Sequence, residues 1–266
     1  MSYNQKEVTV LRAENISFKI GNAILLKPTS VEFEKGQFHV IMGANGAGKS
    51  TLLKILAGDY QPTSGKVYLE ETTLSHFSKK MLATRRAVLS QHYHLSFPIT
   101  VDEIVMMGRY PYFVTQPKAA DLAICREAMQ LMDVQHLAER DYTTLSGGEA
   151  QKVQMSRVLA QIWDEGGEKN KILFLDEPVS HLDVKYQYQL LRVAKEHCQK
   201  GTTVIAILHD LNLAISFAGR ILLMKEGAIR YEMNDVRSLT PEIIEDTFGI
   251  AATILQNDQA KPIVVF

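Results

Sequence analysis

Continuous apolar runs alternate along this chain with stretches of helical spacing. Gln37-Phe-His-Val-Ile-Met42 is one such run, and Thr51-Leu-Leu-Lys-Ile-Leu-Ala57 follows it with apolar positions three and four apart. The first reads as a buried strand and the second as a helix closed by Gly58. The alternation returns downstream. Ala87-Val-Leu-Ser90, Lys171-Ile-Leu-Phe-Leu175, Thr203-Val-Ile-Ala-Ile-Leu208 and a run from Arg220 read as strands, and the spacing predicts helices over 150–163, 184–199 and 211–217. Strands and helices in this order predict an α/β core. Residues 8–18, 30–33 and 65–69 read as strands of a smaller β unit, and Gly227 marks a hairpin before Ala228-Ile-Arg-Tyr231. From about Ile99 to Gln161 the pattern is mainly helical and interrupts the core.

Candidate chemistry sits where strands end. Gly43-Ala-Asn-Gly-Ala-Gly-Lys49-Ser50 joins the first core strand to its helix, and strand, glycine loop and helix form the context of a phosphate-binding loop. Gly43, Gly46 and Gly48 permit backbone angles closed to other residues, so the amides from Gly43 to Thr51, including those of Ala44, Asn45 and Ala47, can turn inward. With the positive end of the helix dipole they form an anion cradle. Lys49 is placed to reach the β- and γ-phosphates and Ser50 to ligate Mg²⁺. The plain alternative is a glycine turn with an incidental Lys-Ser, and the flanking strand and helix favour the phosphate loop. Asp176 and Glu177 end the run at 171–175, and open α/β sheets place ligands at strand carboxyl ends. Asp176 is suited to hold Mg²⁺ through water, and Glu177 to orient and deprotonate an attacking water.

Leu145-Ser-Gly-Gly-Glu149 opens the helix at 150. Ser146 reads as its N-cap and Glu149 as the partner in a capping box. That accounts for Ser and Glu but not for Gly147 and Gly148, which cost helix stability unless something approaches the backbone closely. A γ-phosphate arriving from outside is such a group.

With these segments in this order, the chain resembles the ABC-type ATPases over essentially its whole length. The resemblance implies an α/β P-loop NTPase core (RecA-like) of ABC type, with an N-terminal antiparallel β subdomain and an inserted helical subdomain at about 92–161, all within a single ABC ATPase domain over 1–266. It also implies ATP and Mg²⁺ as cofactors and a head-to-tail homodimer. Ser146, Gly147 and Gly148 match the signature sequence, which binds ATP held by the other copy's phosphate loop. Gln91 matches the Q-loop glutamine, which touches Mg²⁺ and water and faces the membrane subunit. Ser180-His-Leu-Asp183 matches the D-loop at the dimer interface, and His209 the switch histidine on the γ-phosphate. One element departs from the family pattern: Gly21 is preceded by Ile20 rather than by an aromatic residue, with Phe18 two positions further back. Either Phe18 or Ile20 is left to pack the base.

Composition narrows the setting. A chain of 266 residues that is 46% hydrophobic suffices for one core with an insertion. A net charge of −1 supplies no drive toward nucleic acid. No apolar stretch reaches the roughly 18–20 residues that span a bilayer, and Asn4-Gln-Lys-Glu7 offers no apolar leader. Two cysteines without metal-like spacing fit a reducing cytoplasm. The expectation is a peripheral motor on the cytoplasmic face of the bacterial inner membrane, docked on separate permease subunits in a system that includes a substrate-binding protein.

The cargo is read from resemblance alone. Gly108-Arg-Tyr-Pro111 resembles importers of iron chelates and cobalamin. Ser96-Phe-Pro-Ile-Thr-Val101, Arg140-Asp-Tyr-Thr-Thr-Leu-Ser-Gly-Gly-Glu149 and Arg157-Val-Leu-Ala-Gln-Ile-Trp163 are similar to heme-import ATP-binding subunits. Siderophore or cobalamin import is the alternative within transport. A soluble ABC-type ATPase of DNA repair or translation is the alternative outside it, although the chain has neither a long coiled-coil insertion nor tandem cassettes. His92, Tyr93 and His94 invite a reading as heme ligands, but a cytoplasmic motor is not expected to bind heme directly. That segment is better read as a permease-facing surface, on which Tyr93, Phe97, Arg109 and Tyr110 are expected to be exposed.

Overall fold

The structure is a computed structural model that describes residues 8–91, 97–163, 170–180, 182–256 and 261–266. Its first part comprises β1 (Thr9–Ile20), β2 (Ala23–Glu34), β3 (Phe38–Gly43), α1 (Lys49–Leu56), β4 (Ser64–Leu69), β5 (Thr72–Thr73), α2 (Lys79–Arg85) and β6 (Arg86–Leu89). The chain between β6 and β7 folds into α3 (Val101–Met106), α4 (Ala119–Leu131) and α5 (Gly147–Ile162), with 3-10 turns between them. The rest is β7 (Ile172–Asp176), α6 (Val184–Gln199), β8 (Thr203–Ile207), α7 (Leu211–Phe217), β9 (Arg220–Lys225), β10 (Ala228–Met233), α8 (Pro241–Phe248), β11 (Thr253–Gln256) and β12 (Pro262–Val265).

A six-stranded sheet runs in the order β10-β9-β3-β8-β7-β6, parallel throughout except for β10 at its edge. A four-stranded antiparallel sheet, β2-β1-β4-β5, packs on one face. Alternation of side chains along each core strand sorts the residues into two layers. Ile172 and Phe174 of β7 join α1 and the antiparallel sheet, whereas Leu173 and Leu175 join the helices α3 to α7. The unbroken apolar runs therefore reflect burial on both faces. The P-loop α/β architecture expected from the sequence is the one observed.

β2 extends well beyond the 30–33 run. Its first half is mostly exposed and is held by pairing with β1, so burial left little apolar signal there. The pattern read above stops at Tyr231, and the chain continues through α8 to the hairpin β11–β12. Thr240 caps α8, Pro241 opens it, and Gly249 closes it at φ 72°.

One expectation is corrected. Arg109 is 1% exposed, not at the surface. Its Nε donates to Asp121 at 2.8 Å, its Nη1 donates to the Ala160 carbonyl at 3.0 Å, and its guanidinium lies 4.0 Å from the Tyr112 ring. Beside it, a Cβ on Gly108 would come within 2.2 Å of the Arg157 carbonyl. This segment is thus a close-packed joint against α5, in which a buried guanidinium needs a carboxylate partner. Phe97 and Tyr110 are exposed, while His92, Tyr93 and His94 lie outside the described residues. Among those described, no helix is long and apolar enough to cross a membrane.

Candidate nucleotide site

The loop after β3 is shaped by neighbours that leave no room for side chains. Gly43 has φ 147°, and a Cβ there would meet the Met224 carbonyl at 2.2 Å. Gly48 has φ 96°, and a Cβ there would meet the Leu25 carbonyl at 2.7 Å. Gly48 precedes α1 with no side-chain cap, which leaves the first amides of that helix open. Lys49 is buried and folds back over the loop, its Nζ donating to the carbonyls of Gly43 at 2.8 Å and Ala44 at 3.0 Å. Ala44, Asn45 and Gly46 are exposed, Ala47 is buried, and Thr51 is half-buried.

β7 brings the two acids to this loop. Ser50 Oγ donates to Asp176 Oδ1 at 3.1 Å. Glu177, next in the chain, turns out of the strand at φ 51°, a left-handed conformation that a non-glycine residue adopts only where its surroundings enforce it. Its carboxylate is gripped from two sides. Gln91 Nε2 donates to Oε2 at 2.7 Å, and His209 Nε2 lies 2.7 Å from Oε1. Gln91 follows β6 and His209 follows β8, the two strands that flank β7. Three neighbouring strand ends therefore converge on one carboxylate.

The electrostatics are those of a site built for charged ligands. Burial pushes the Lys49 ammonium pKa down, against the opposing effect of Glu177 and Asp176. Burial pushes the Asp176 carboxyl up, opposed by the Ser50 hydrogen bond and aided by the charge on Glu177. Both shifts disfavour the charged form. Phosphate beside Lys49, and a divalent cation beside the oxygens of Ser50 and Asp176, would remove those penalties. Adjacent hydroxyl and carboxylate oxygens suit a hard cation such as Mg²⁺.

The other candidate segment stands apart. Ser146 caps α5 with a complete capping box: its Oγ accepts from Glu149 N at 3.3 Å, and Glu149 Oε2 accepts from Ser146 N at 2.8 Å. Ser146 and Gly147 are exposed. Among the described residues, no hydrogen bond or ion pair joins 146–149 to the phosphate loop. Instead Ser146, Gly148 and Asp183 line a cavity of about 440 Å³ together with Lys152 and Tyr186. Asp183 caps α6, its Oδ1 accepting from Tyr186 N at 3.1 Å. Sequence reasoning missed two residues here. Gln151 donates to the Pro178 carbonyl at 2.8 Å and ties α5 to the turn after Glu177. Lys152, buried, holds its ammonium 4.0 Å from the ring centre of Tyr186 and so links the start of α5 to the start of α6. The available signal was polar residues at buried positions of α5, which the apolar reading of that helix passes over.

For the base, the ring of Phe18 lies flat against Tyr60 at 5.3 Å and 11°, whereas Ile20 is 61% exposed.

Residues 26–180 match the ABC transporter family. The chain belongs to that family. Relatives of this ABC chain include the hemin import ATP-binding protein HmuV of Rhodopseudomonas palustris (strain HaA2), 42% identical over 97% of each chain. HmuV of Gloeobacter violaceus is 41% identical over 96% of this chain and 94% of that protein. Among solved structures, an inward-facing transporter assigned to the metal-chelate type matches with a TM-score of 0.77 and 26% identity over 97% of this chain and 98% of the other. A dimeric post-hydrolysis ATP-binding cassette bound to ADP and Pi matches at 0.73 and 26% over 84% of this ABC chain and 97% of that one.

Proposed function

We propose that this chain is the ATP-hydrolysing subunit of a heme importer, acting as a homodimer docked on separate permease subunits at the cytoplasmic face of the bacterial membrane. The observation that carries the chemistry is the convergence on Glu177 of Gln91 and His209, beside Lys49, Ser50 and Asp176. The cargo rests on the hemin import relatives, and a substrate-binding protein in the same system belongs to the same reading.

Phosphoryl transfer depends on positioning and charge neutralisation. Lys49 exchanges its carbonyl partners in the loop for the β- and γ-phosphates, and the open amides of α1 receive the rest of the anion. Ser50, Asp176 and Gln91 would hold Mg²⁺, which when bound neutralises phosphate charge. Glu177 accepts the proton of the attacking water, with Gln91 and His209 fixing the direction of its carboxylate. Ser146, Gly147 and Gly148 of the second copy meet the γ-phosphate, and Asp183 lies beside them. ATP then contacts both copies and favours closure, and loss of the γ-phosphate permits opening, because a ligand shifts an equilibrium only through its differential affinity for the two states.

The test is to co-purify the chain with its permease, reconstitute the complex in liposomes with the binding protein, and measure ATPase activity with heme, a ferric siderophore and cobalamin in turn. Stimulation and uptake with heme alone is the expected result. Stimulation by another cargo replaces heme in this reading, and failure to assemble with any permease removes the importer role.

A further inference from the structure

We propose that Gly227, in the turn between β9 and β10, is a positioning residue of the phosphate loop. It fixes the peptide that joins Ala47 to Gly48, so that the Gly48 amide is held ready for phosphate. This deepens the proposed nucleotide site and rests on it. Lys225 pairs with Ala228 across the hairpin, so the turn has two residues. Glu226 and Gly227 both have positive φ, 50° and 77°. Such a pair marks a type I′ turn, which matches the twist of the flanking strands and favours glycine at its second position. The turn accounts for the glycine. It does not account for what the two backbone groups of Gly227 do.

The tip of a hairpin ordinarily turns these groups to water. Here Gly227 N donates to the Ala47 carbonyl at 3.1 Å, and the Gly227 carbonyl accepts from Lys27 N at 2.7 Å. The turn is thereby wedged between the phosphate loop and β2. The fit is close on both sides. A Cβ on Gly48 would lie 3.4 Å from the Gly227 Cα, and a Cβ on Gly227 would meet the Leu25 carbonyl at 3.2 Å. The consequence for the loop follows from peptide geometry. In a planar trans peptide the carbonyl and the amide hydrogen point to opposite sides. With the Ala47 carbonyl drawn to the turn, the Gly48 N–H is directed away from it. Among the described residues that N–H donates to no protein group, which leaves it for a ligand. Released from Gly227, the same peptide could rotate, because glycine accepts either backbone hand. The Ala47 carbonyl would then present its negative end to an incoming anion.

The test uses the full chain and its Gly227→Ala, Gly227→Asn and Gly249→Ala variants, with Mg²⁺ present. Each is titrated calorimetrically with ATP and with inorganic tripolyphosphate, assayed for ATPase, and unfolded in urea. In Gly227→Ala the added Cβ crowds Leu25 and lifts the turn from Ala47. Both ligands are expected to bind about 10-fold more weakly, the scale of one hydrogen bond to a charged group. KM for ATP rises by the same factor while kcat stays within about 2-fold, because an amide that holds phosphate in ground and transition states alike affects only binding. Gly227→Asn keeps the turn, since Asn tolerates left-handed backbone, but brings the same Cβ. It weakens both ligands by about 3-fold or more, and it decides the matter should Gly227→Ala fail to fold. Gly249 is the control. Its φ is 72° and nothing lies within 4 Å of an added Cβ, so Gly249→Ala loses stability through backbone strain alone and keeps both affinities. Gly227 is only a turn former, and the inference is overturned, if its variants lose stability while tripolyphosphate affinity holds within about 2-fold, or if kcat falls with KM unmoved. A wild-type chain that binds neither ATP nor tripolyphosphate removes the nucleotide site itself.

Discussion

Two helix starts in this molecule differ in how ready they are to receive an anion. α1 begins at Gly48 with no side-chain cap, under a loop held by the backbone of β2 and β9, and buried Lys49 and Asp176 stand beside it. α5 begins at an exposed Ser146 with a capping box that engages the Glu149 and Ser146 amides, and among the described residues no hydrogen bond or ion pair joins 146–149 to the phosphate loop. Both carry the positive end of a helix dipole. In the proposed function the first, with no side-chain cap and with Lys49 beside it, binds phosphate within one copy. In the same proposed function the second, which closes its own capping box, offers its glycines to a phosphate that another copy carries to it. A site divided in this way ties ligand contact to association, which a self-contained pocket cannot do.

The sharpest break in this comparison is Glu177→Gln. Turnover is expected to fall about 10²–10⁴-fold, the scale of a general base, while ATP affinity is retained and ATP-dependent dimers accumulate in gel filtration. Near-normal turnover would take Glu177 out of that role. Ser146→Arg attacks the other helix start. ATP binding by the single chain should survive while ATPase falls about 10²-fold, as on removal of one donor group from a transition-state site. Equal activity would return the whole site to one chain.

A pH titration of stability probes the supports of both regions. His39 on β3, the strand that carries the phosphate loop, and His197 on α6, the helix begun by Asp183, are each lowered by burial to about 4. Their ordinary value is about 6.5, so below that pH the unfolded chain takes up protons first. Stability should stay level above pH 6.5 and fall as pH drops toward 4, by up to about 3 kcal/mol for each histidine. Urea unfolding at stepped pH checks this, and a His39→Gln, His197→Gln pair should flatten the profile. The smallest expected effect is at Lys152. Lys152→Met keeps the stem that packs but removes the charge over Tyr186. A loss of about 10-fold in ATPase is expected, the scale of a desolvated cation–π contact. Lys152→Arg should restore it, and single-chain ATP affinity should not change.

Legibility in the sequence followed the stringency of the local rule. The phosphate loop could be read because close backbone approach at Gly43 and Gly48 excludes every side chain. The capping box could be read because its spacing is fixed by one helical turn. Arg109 was misplaced because charge alone says nothing of where Asp121, twelve residues on, will lie. Phe18 could not be distinguished from Ile20 as a base platform, since Tyr60, which covers the Phe18 ring, belongs to a different element. Lys152 and Gln151 were passed over because a polar residue on a buried helix face looks the same in sequence as one in water.

By itself the sequence determined the α/β architecture, the glycine loop, the pair of acids that ends a core strand and the capped start of α5. Each of these is set by apolar periodicity or by backbone limits within a few residues. Only the tertiary structure decided that Gln91 and His209 grip Glu177, that Arg109 is sealed against α5 and that Lys152 binds Tyr186. Those contacts depend on which strands become neighbours in the sheet and which helices pack together, and packing of the whole chain settles that order.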